Sequence, residues 1–99
     1  MKEEILILNV LKYENEKGTG CRLGFIFNSD DKIQNTDKFR GYPEVSQFYD
    51  VSVFDKILPE MIGVPVTAVI EQKSDTRNPL RTRQLITKLQ YKNNVIDLV

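Results

Sequence analysis

Three of the five arginines of this chain fall within one stretch, Thr76-Arg77-Asn78-Pro79-Leu80-Arg81-Thr82-Arg83, between two segments of β-type composition. Formal net charge is zero, so positive charge is sorted by region. Residues 71–99 carry six Lys/Arg and three Asp/Glu, whereas residues 1–31 carry four and six. A basic finger on a neutral body suits an anionic partner, nucleic acid being the first candidate. Guanidinium groups pair with phosphate oxygens in a fixed fork and stack on planar rings. Arginines at a hairpin tip also serve simply as solvated charges that keep a sheet edge from aggregating.

The other chemistries are narrowed by what the composition lacks. There is no histidine, and Cys21 is the single cysteine. The commonest general base, the Ser-His-Asp and Cys-His arrangements and the usual zinc-ligand sets are therefore excluded. Among the carboxylates, Asp30-Asp31 is a loop cluster without calcium-loop spacing, and Glu3-Glu4 is a solvated terminus. Gly18-Thr19-Gly20 lacks the lysine and helix of a phosphate-binding loop and reads as a turn. The expectation is a non-enzymatic chain with no cofactor and no metal. Cys21 cannot form an internal disulfide and suits a small buried position, which fits a reducing cytosol. Ninety-nine residues, 40% hydrophobic and 28% charged, describe one ordinary domain with one core. Neither a signal-peptide pattern nor an apolar run long enough to span a bilayer is present, so the expected location is cytoplasmic.

The elements that must position these residues follow from periodicity. Ile5–Tyr13 is aliphatic and β-branched and reads as a first strand. After a turn at Glu14–Gly20, Cys21, Leu23, Phe25 and Phe27 alternate with Arg22, Gly24, Ile26 and Asn28, which predicts a half-buried second strand with the first set inward. Ser29–Pro43 is polar and aperiodic and reads as a long, mobile loop, a frequent carrier of function. Val45–Val53 predicts a third strand. Phe54, Ile57, Leu58 and Met61 recur at helical spacing, with Gly63 as the stop and Ser52 and Asp55 spaced as a capping box, and Pro59 limits that element to a turn or two unless it falls in the first turn. Val64–Gln72 and Leu80–Tyr91 predict a fourth and fifth strand, Asn93-Asn94 breaks the fifth, and within the tail 93–99 Val95–Val99 is a short apolar segment suited either to pack back or to extend an edge.

Five strands with a short helix between the third and fourth is the order of a five-stranded antiparallel OB-like barrel spanning residues 1–99. An SH3-like barrel and an open α+β sheet are the alternatives. In an OB-type barrel the second and third strands, with the loops joining strands one to two and four to five, grip single strands. The corresponding residues are Lys17, Arg22, Tyr42, Phe48, Tyr49, Lys73, Arg77, Arg81 and Arg83. Their basic side chains suit phosphates and their rings suit bases.

The hairpin into Gly20-Cys21-Arg22-Leu23-Gly24-Phe25, and the closing segments Thr67-Ala68-Val69-Ile70 and Gln84-Leu85-Ile86-Thr87-Lys88-Leu89, resemble the small single-stranded-DNA-binding proteins of phages and mobile elements, of the filamentous-phage gene V type. That resemblance implies an OB-type barrel that forms a homodimer and coats single-stranded DNA without sequence preference. This chain differs from them in its zero net charge and in the acidic pair Asp30-Asp31. The rival expectation is a protein-binding accessory or inhibitory adaptor of a phage or mobile element, with the arginines meeting an acidic surface and Val95–Val99 extending a partner's sheet edge.

Overall fold

The computed structural model describes residues 1–29, 33–74 and 82–99. Its main body is one antiparallel sheet of six strands in the order β5-β2-β1-β6-β7-β8, formed by β1 (Lys2–Asn15), β2 (Gly18–Phe27), β5 (Val45–Tyr49), β6 (Pro65–Ser74), β7 (Thr82–Tyr91) and β8 (Asn94–Asp97). A separate two-stranded arm pairs β3 (Gln34–Asn35) with β4 (Arg40–Gly41). No helix among the described residues is long and apolar enough to cross a membrane.

β1 is long enough to serve two neighbours. Its first part pairs with β6 from Lys2↔Val69 to Leu6↔Pro65, and from Ile5↔Phe27 to Asn15↔Gly18 it pairs with β2. The register shifts between Ile7 and Asn9, leaving Leu8 as the extra residue of a bulge. Such a bulge bends a strand and reverses which residues face inward. Ile5 and Ile7 are fully buried before it, and Val10 packs on the core after it. Pro65 opens β6, where its missing N–H costs no ladder bond. A second bulge, at Thr87 between Ile86 and Lys88, leaves that threonine buried, with its hydroxyl directed to the Val69 carbonyl at 3.5 Å.

The core lies on the inner face of the rolled sheet. It joins Ile5, Ile7, Cys21, Leu23, Phe25, Val66, Ala68, Ile70, Leu85, Ile86 and Leu89 with Val53, Ile57 and Met61 from the segment after β5. Cys21 is a small buried hydrophobe, as expected, and burial pushes its thiol pKa up. Two positions depart from the expected alternation of β2. Ile26 is buried, whereas Phe27 is 39% exposed. β5 pairs with β2 only as far as Phe25↔Val45, so among the described residues Phe27 has no neighbouring strand on that side. Its ring is left edge-on against Phe25.

Three elements take their bounds from local chemistry. The third strand stops at Tyr49, because the Asp50 carboxylate accepts the Ser52 N–H at 3.0 Å and starts a turn. Hydrogen bonds from Ser52 hold the Asp50 carboxyl below the usual carboxylate range, and Ser52 makes no side-chain cap of its own. The helical segment is as short as Pro59 implies, in two pieces, α1 (Val53–Lys56) and a 3₁₀ turn (Pro59–Met61). Pro59 forces Leu58 into extended geometry (ψ 146°) and ends the α-helical run. The tail packs back as β8, folded onto β7 by a two-residue turn with positive φ at Lys92 (46°) and Asn93 (66°), the signs of a type I′ hairpin.

The sheet rolls until β5 approaches β7, without a ladder between them among the described residues. Side chains cross the gap. Gln47 Nε2 donates to the Gln84 carbonyl at 3.2 Å, and the Ile86 N–H donates to Gln47 Oε1 at 3.0 Å. The Tyr49 hydroxyl lies 2.7 Å from the Ile86 carbonyl and 2.6 Å from Gln47 Oε1, and its single proton serves one acceptor at a time. Replacing Gln47 with Ala strips two main-chain groups of β7 of their partners, and we expect a loss of about 1–3 kcal/mol in urea unfolding. Burial raises the Tyr49 pKa well above its ordinary 10.0. Above that pH the unfolded chain releases the proton while the fold retains it. Stability therefore falls as pH rises, by about 1.4 kcal/mol per pH unit. Tyr49→Phe should reduce that alkaline slope in unfolding curves recorded at successive pH values, leaving the part contributed by the buried Cys21 thiol.

Candidate functional site

The outer face of β1, β2 and β5 is built around two glycines. On β2 the inward residues Cys21, Leu23 and Phe25 are fully buried, which turns Gly20, Arg22 and Gly24 outward. Gly20 lies opposite Tyr13, and the Tyr13 ring covers it so closely that a Cβ there would collide with the phenol. Gly24 lies opposite Asn9 on one side and Ser46 on the other. Across it Asn9 Nδ2 donates to Glu44 Oε1 at 3.3 Å, a bond that a side chain at position 24 would break.

Arg22 sits between these two crossings, directly opposite Leu11 on β1 and Phe48 on β5. Its Nε is buried and has no hydrogen-bond partner among the described residues, and the same holds for Asn9 Oδ1. Phe48 is 60% exposed, and Tyr13 meets its ring edge-on at 6.4 Å between centroids and 74° between planes. The edge contact orients Phe48 while leaving most of the ring in solvent. An exposed, held ring beside a guanidinium can stack a planar group and neutralise an anion attached to it.

A second basic element lies at the base of the β6–β7 hairpin, where Lys73 and Arg83 are cross-strand partners. Like charges directly opposite each other are unfavourable in a sheet. Lys73 Nζ reaches Glu71 Oε2 at 3.6 Å, a half-exposed pair of little energetic weight. Arg83 is exposed and close enough to the Tyr49 phenol to oppose the effect of burial on its ionisation. Arg77 and Arg81 lie outside the described residues.

The remaining expected residues are dispersed. Lys17 is exposed in the β1–β2 turn, where its N–H donates to Asn15 Oδ1 at 2.9 Å. Tyr42 is 49% exposed just after β4. Tyr49 belongs to the core, and its ring offers no face for stacking. Two groups were not anticipated. Tyr13 joins the Arg22–Phe48 face only because the β1–β2 register places it over Gly20. The β3–β4 arm exposes Lys38, Phe39 and Arg40 near Tyr42 in sequence. Its turn is closed by the Thr36 hydroxyl, which accepts the Phe39 N–H at 3.0 Å and the Lys38 N–H at 3.3 Å. A threonine followed by Asp37 was the available signal for that turn. Strands of two residues carry no periodicity.

Among the described residues no group of three or more His, Cys, Asp or Glu could hold a metal ion. Comparisons with protein families, curated proteins and solved structures find no match to this chain.

Gly20→Ala should push the Tyr13 ring aside and release Phe48, although the Gly20 φ is one that alanine adopts. We expect a loss of about 1 kcal/mol in stability, the scale of an aromatic pair. Changed Tyr13 and Phe48 ring resonances in NMR spectra of a folded variant would check it.

Proposed function

We propose that this chain binds single-stranded nucleic acid, with DNA as the favoured ligand, on the outer face of β1, β2 and β5, without reading base sequence. The observation that carries this reading is the Phe48 ring, exposed, braced by Tyr13 and directly opposite Arg22. Bases of every kind have a π-face, so such a ring stacks on any of them once they are unpaired. Arg22 then meets the adjoining phosphate, and Lys73 and Arg83 continue the positive surface at the β6–β7 hairpin. Tyr42 with Lys38, Phe39 and Arg40 on the β3–β4 arm supplies a further aromatic-basic group, and Lys17 a charge at the β1–β2 turn. Arg77 and Arg81 belong to the same proposed basic element by sequence.

We read the fold as OB-like in the same sense. Support comes from the order β5-β2-β1-β6-β7, from the short helix between β5 and β6, and from the side-chain bonds at the β5–β7 seam. A partly open five-stranded barrel that binds on the face of its second and third long strands has this arrangement.

Titration of labelled oligo-dT at two salt concentrations tests the proposal. We expect micromolar binding at low salt that weakens as salt rises. Phe48→Ala should weaken binding by about tenfold with little change in salt dependence, the scale of one lost base stack. Arg22→Ala should reduce the salt dependence. Absence of binding at low salt, or binding indifferent to salt, would overturn the reading.

A further inference from the structure

Among the described residues β1 has a ladder on one side only beyond Leu6. Residues Asn9 to Asn15 pair with β2, while on their other side no ladder is present among the described residues. The last main-chain contact there is the Gly63 N–H donating to the Ile7 carbonyl at 2.9 Å. A free edge of this length templates pairing with another strand. At its root lies an open apolar groove of about 540 Å³ between Leu8 and Val10 on β1 and Phe54, Ile57, Leu58 and Ile62 opposite, with Asp55 on its lining. Leu11, on the outer face of the same edge, is 49% exposed.

We propose that this edge pairs antiparallel with the same edge of a second copy, about a two-fold axis at Tyr13. The charge pattern selects both occupant and register. Lys12-Tyr13-Glu14 is self-complementary: with Tyr13 on the axis, Lys12 of each copy lies opposite the partner's Glu14, giving two opposed charge pairs in one interface. Neither Lys12 nor Glu14 forms an ion pair among the described residues, and the Lys12 ammonium rests 5.9 Å from the centre of the Phe54 ring. The same register sets Leu11 against the partner's Asn15. It brings the partner's β1–β2 turn, with its Lys17, to Asn9 at the mouth of the groove where Asp55 lies. Centring the axis on Lys12 instead would oppose two ammonium groups. Edge pairing about an axis normal to the sheet keeps the Arg22–Phe48 faces of both copies on one side. The dimer itself rests only on the edge and its charges, not on nucleic-acid binding.

Light scattering across the micromolar range should give twice the 11.5 kDa chain mass without nucleic acid. Lys12→Glu and Glu14→Lys should each raise the dimer dissociation constant by about tenfold, and the double exchange should restore association. Tyr13→Cys oxidised with diamide, which takes up the two electrons of disulfide formation, should yield a covalent dimer. Wild-type chain should yield none, because Cys21 is buried. Circular dichroism confirms that each variant is folded. A monomer at every concentration would overturn the proposal. So would a dimer insensitive to both charge changes, or one that Tyr13→Cys does not cross-link, since its interface would lie elsewhere. Oligo-dT binding by a proven monomer would leave the functional reading standing and remove only the dimer.

Discussion

The rolled sheet depends on one amide side chain. Rolling brings the outer edges of β5 and β7 together, but the two strands do not form a ladder, and main-chain groups at such a seam need partners. Gln47 supplies a donor and an acceptor much as a peptide unit would, to the Gln84 carbonyl and the Ile86 N–H, and Tyr49 adds a hydroxyl for the Ile86 carbonyl. The free side of β7 is thereby divided. Gln84–Ile86 is served by side chains from β5, and Lys88–Tyr91 by the ladder of β8. The same contacts explain why Tyr49 is dry and why Arg83 lies near its phenol.

Given that roll, the character of the outer face follows from what β2 does not carry. Gly20 and Gly24 remove side chains on both sides of Arg22, so neighbours on β1 and β5 cross over the strand at those two points. Arg22 is left in a slot between crossings, beside a phenylalanine that stays in solvent because its inward neighbours already fill the core. An exposed ring has an apolar cost, and a basic group opposite it adds nothing to the core. Their pairing is the observation on which the proposed ligand surface rests. The zero net charge of the chain then matters less than its arrangement, since potentials at a groove depend on the charges lining it.

Much of the β framework was legible because local pattern and final environment agree. The alternation of the inward Cys21, Leu23 and Phe25 with the outward Arg22 and Gly24 holds in the folded sheet, and Pro65 sits at the start of its strand. Legibility failed where a neighbour, not the strand, sets exposure. Phe27 has the parity of the core but lies past the end of β5, and Ile26 has the parity of the surface and is buried. Asp50 rather than Ser52 shaped the turn before the helix, because its carboxylate accepts the Ser52 N–H. Of the candidate site, Arg22 and Phe48 were readable singly, whereas their opposition, and the bracing ring of Tyr13, were not.

By itself the chain determined the features that depend on near neighbours: strands from period-two alternation, turns from glycine and asparagine, a helix ended by proline, and the exclusion of histidine and multi-cysteine chemistry. Tertiary structure alone decided which faces meet. The joint between β5 and β7 links residues 37 and 39 positions apart, and the bond over Gly24 links residues 35 apart. Alternation tells which side of its own strand a residue occupies. It is silent on the partner strand, the register and the bulge at Leu8, because these are settled by long-range hydrogen bonding and core packing, which no local pattern encodes.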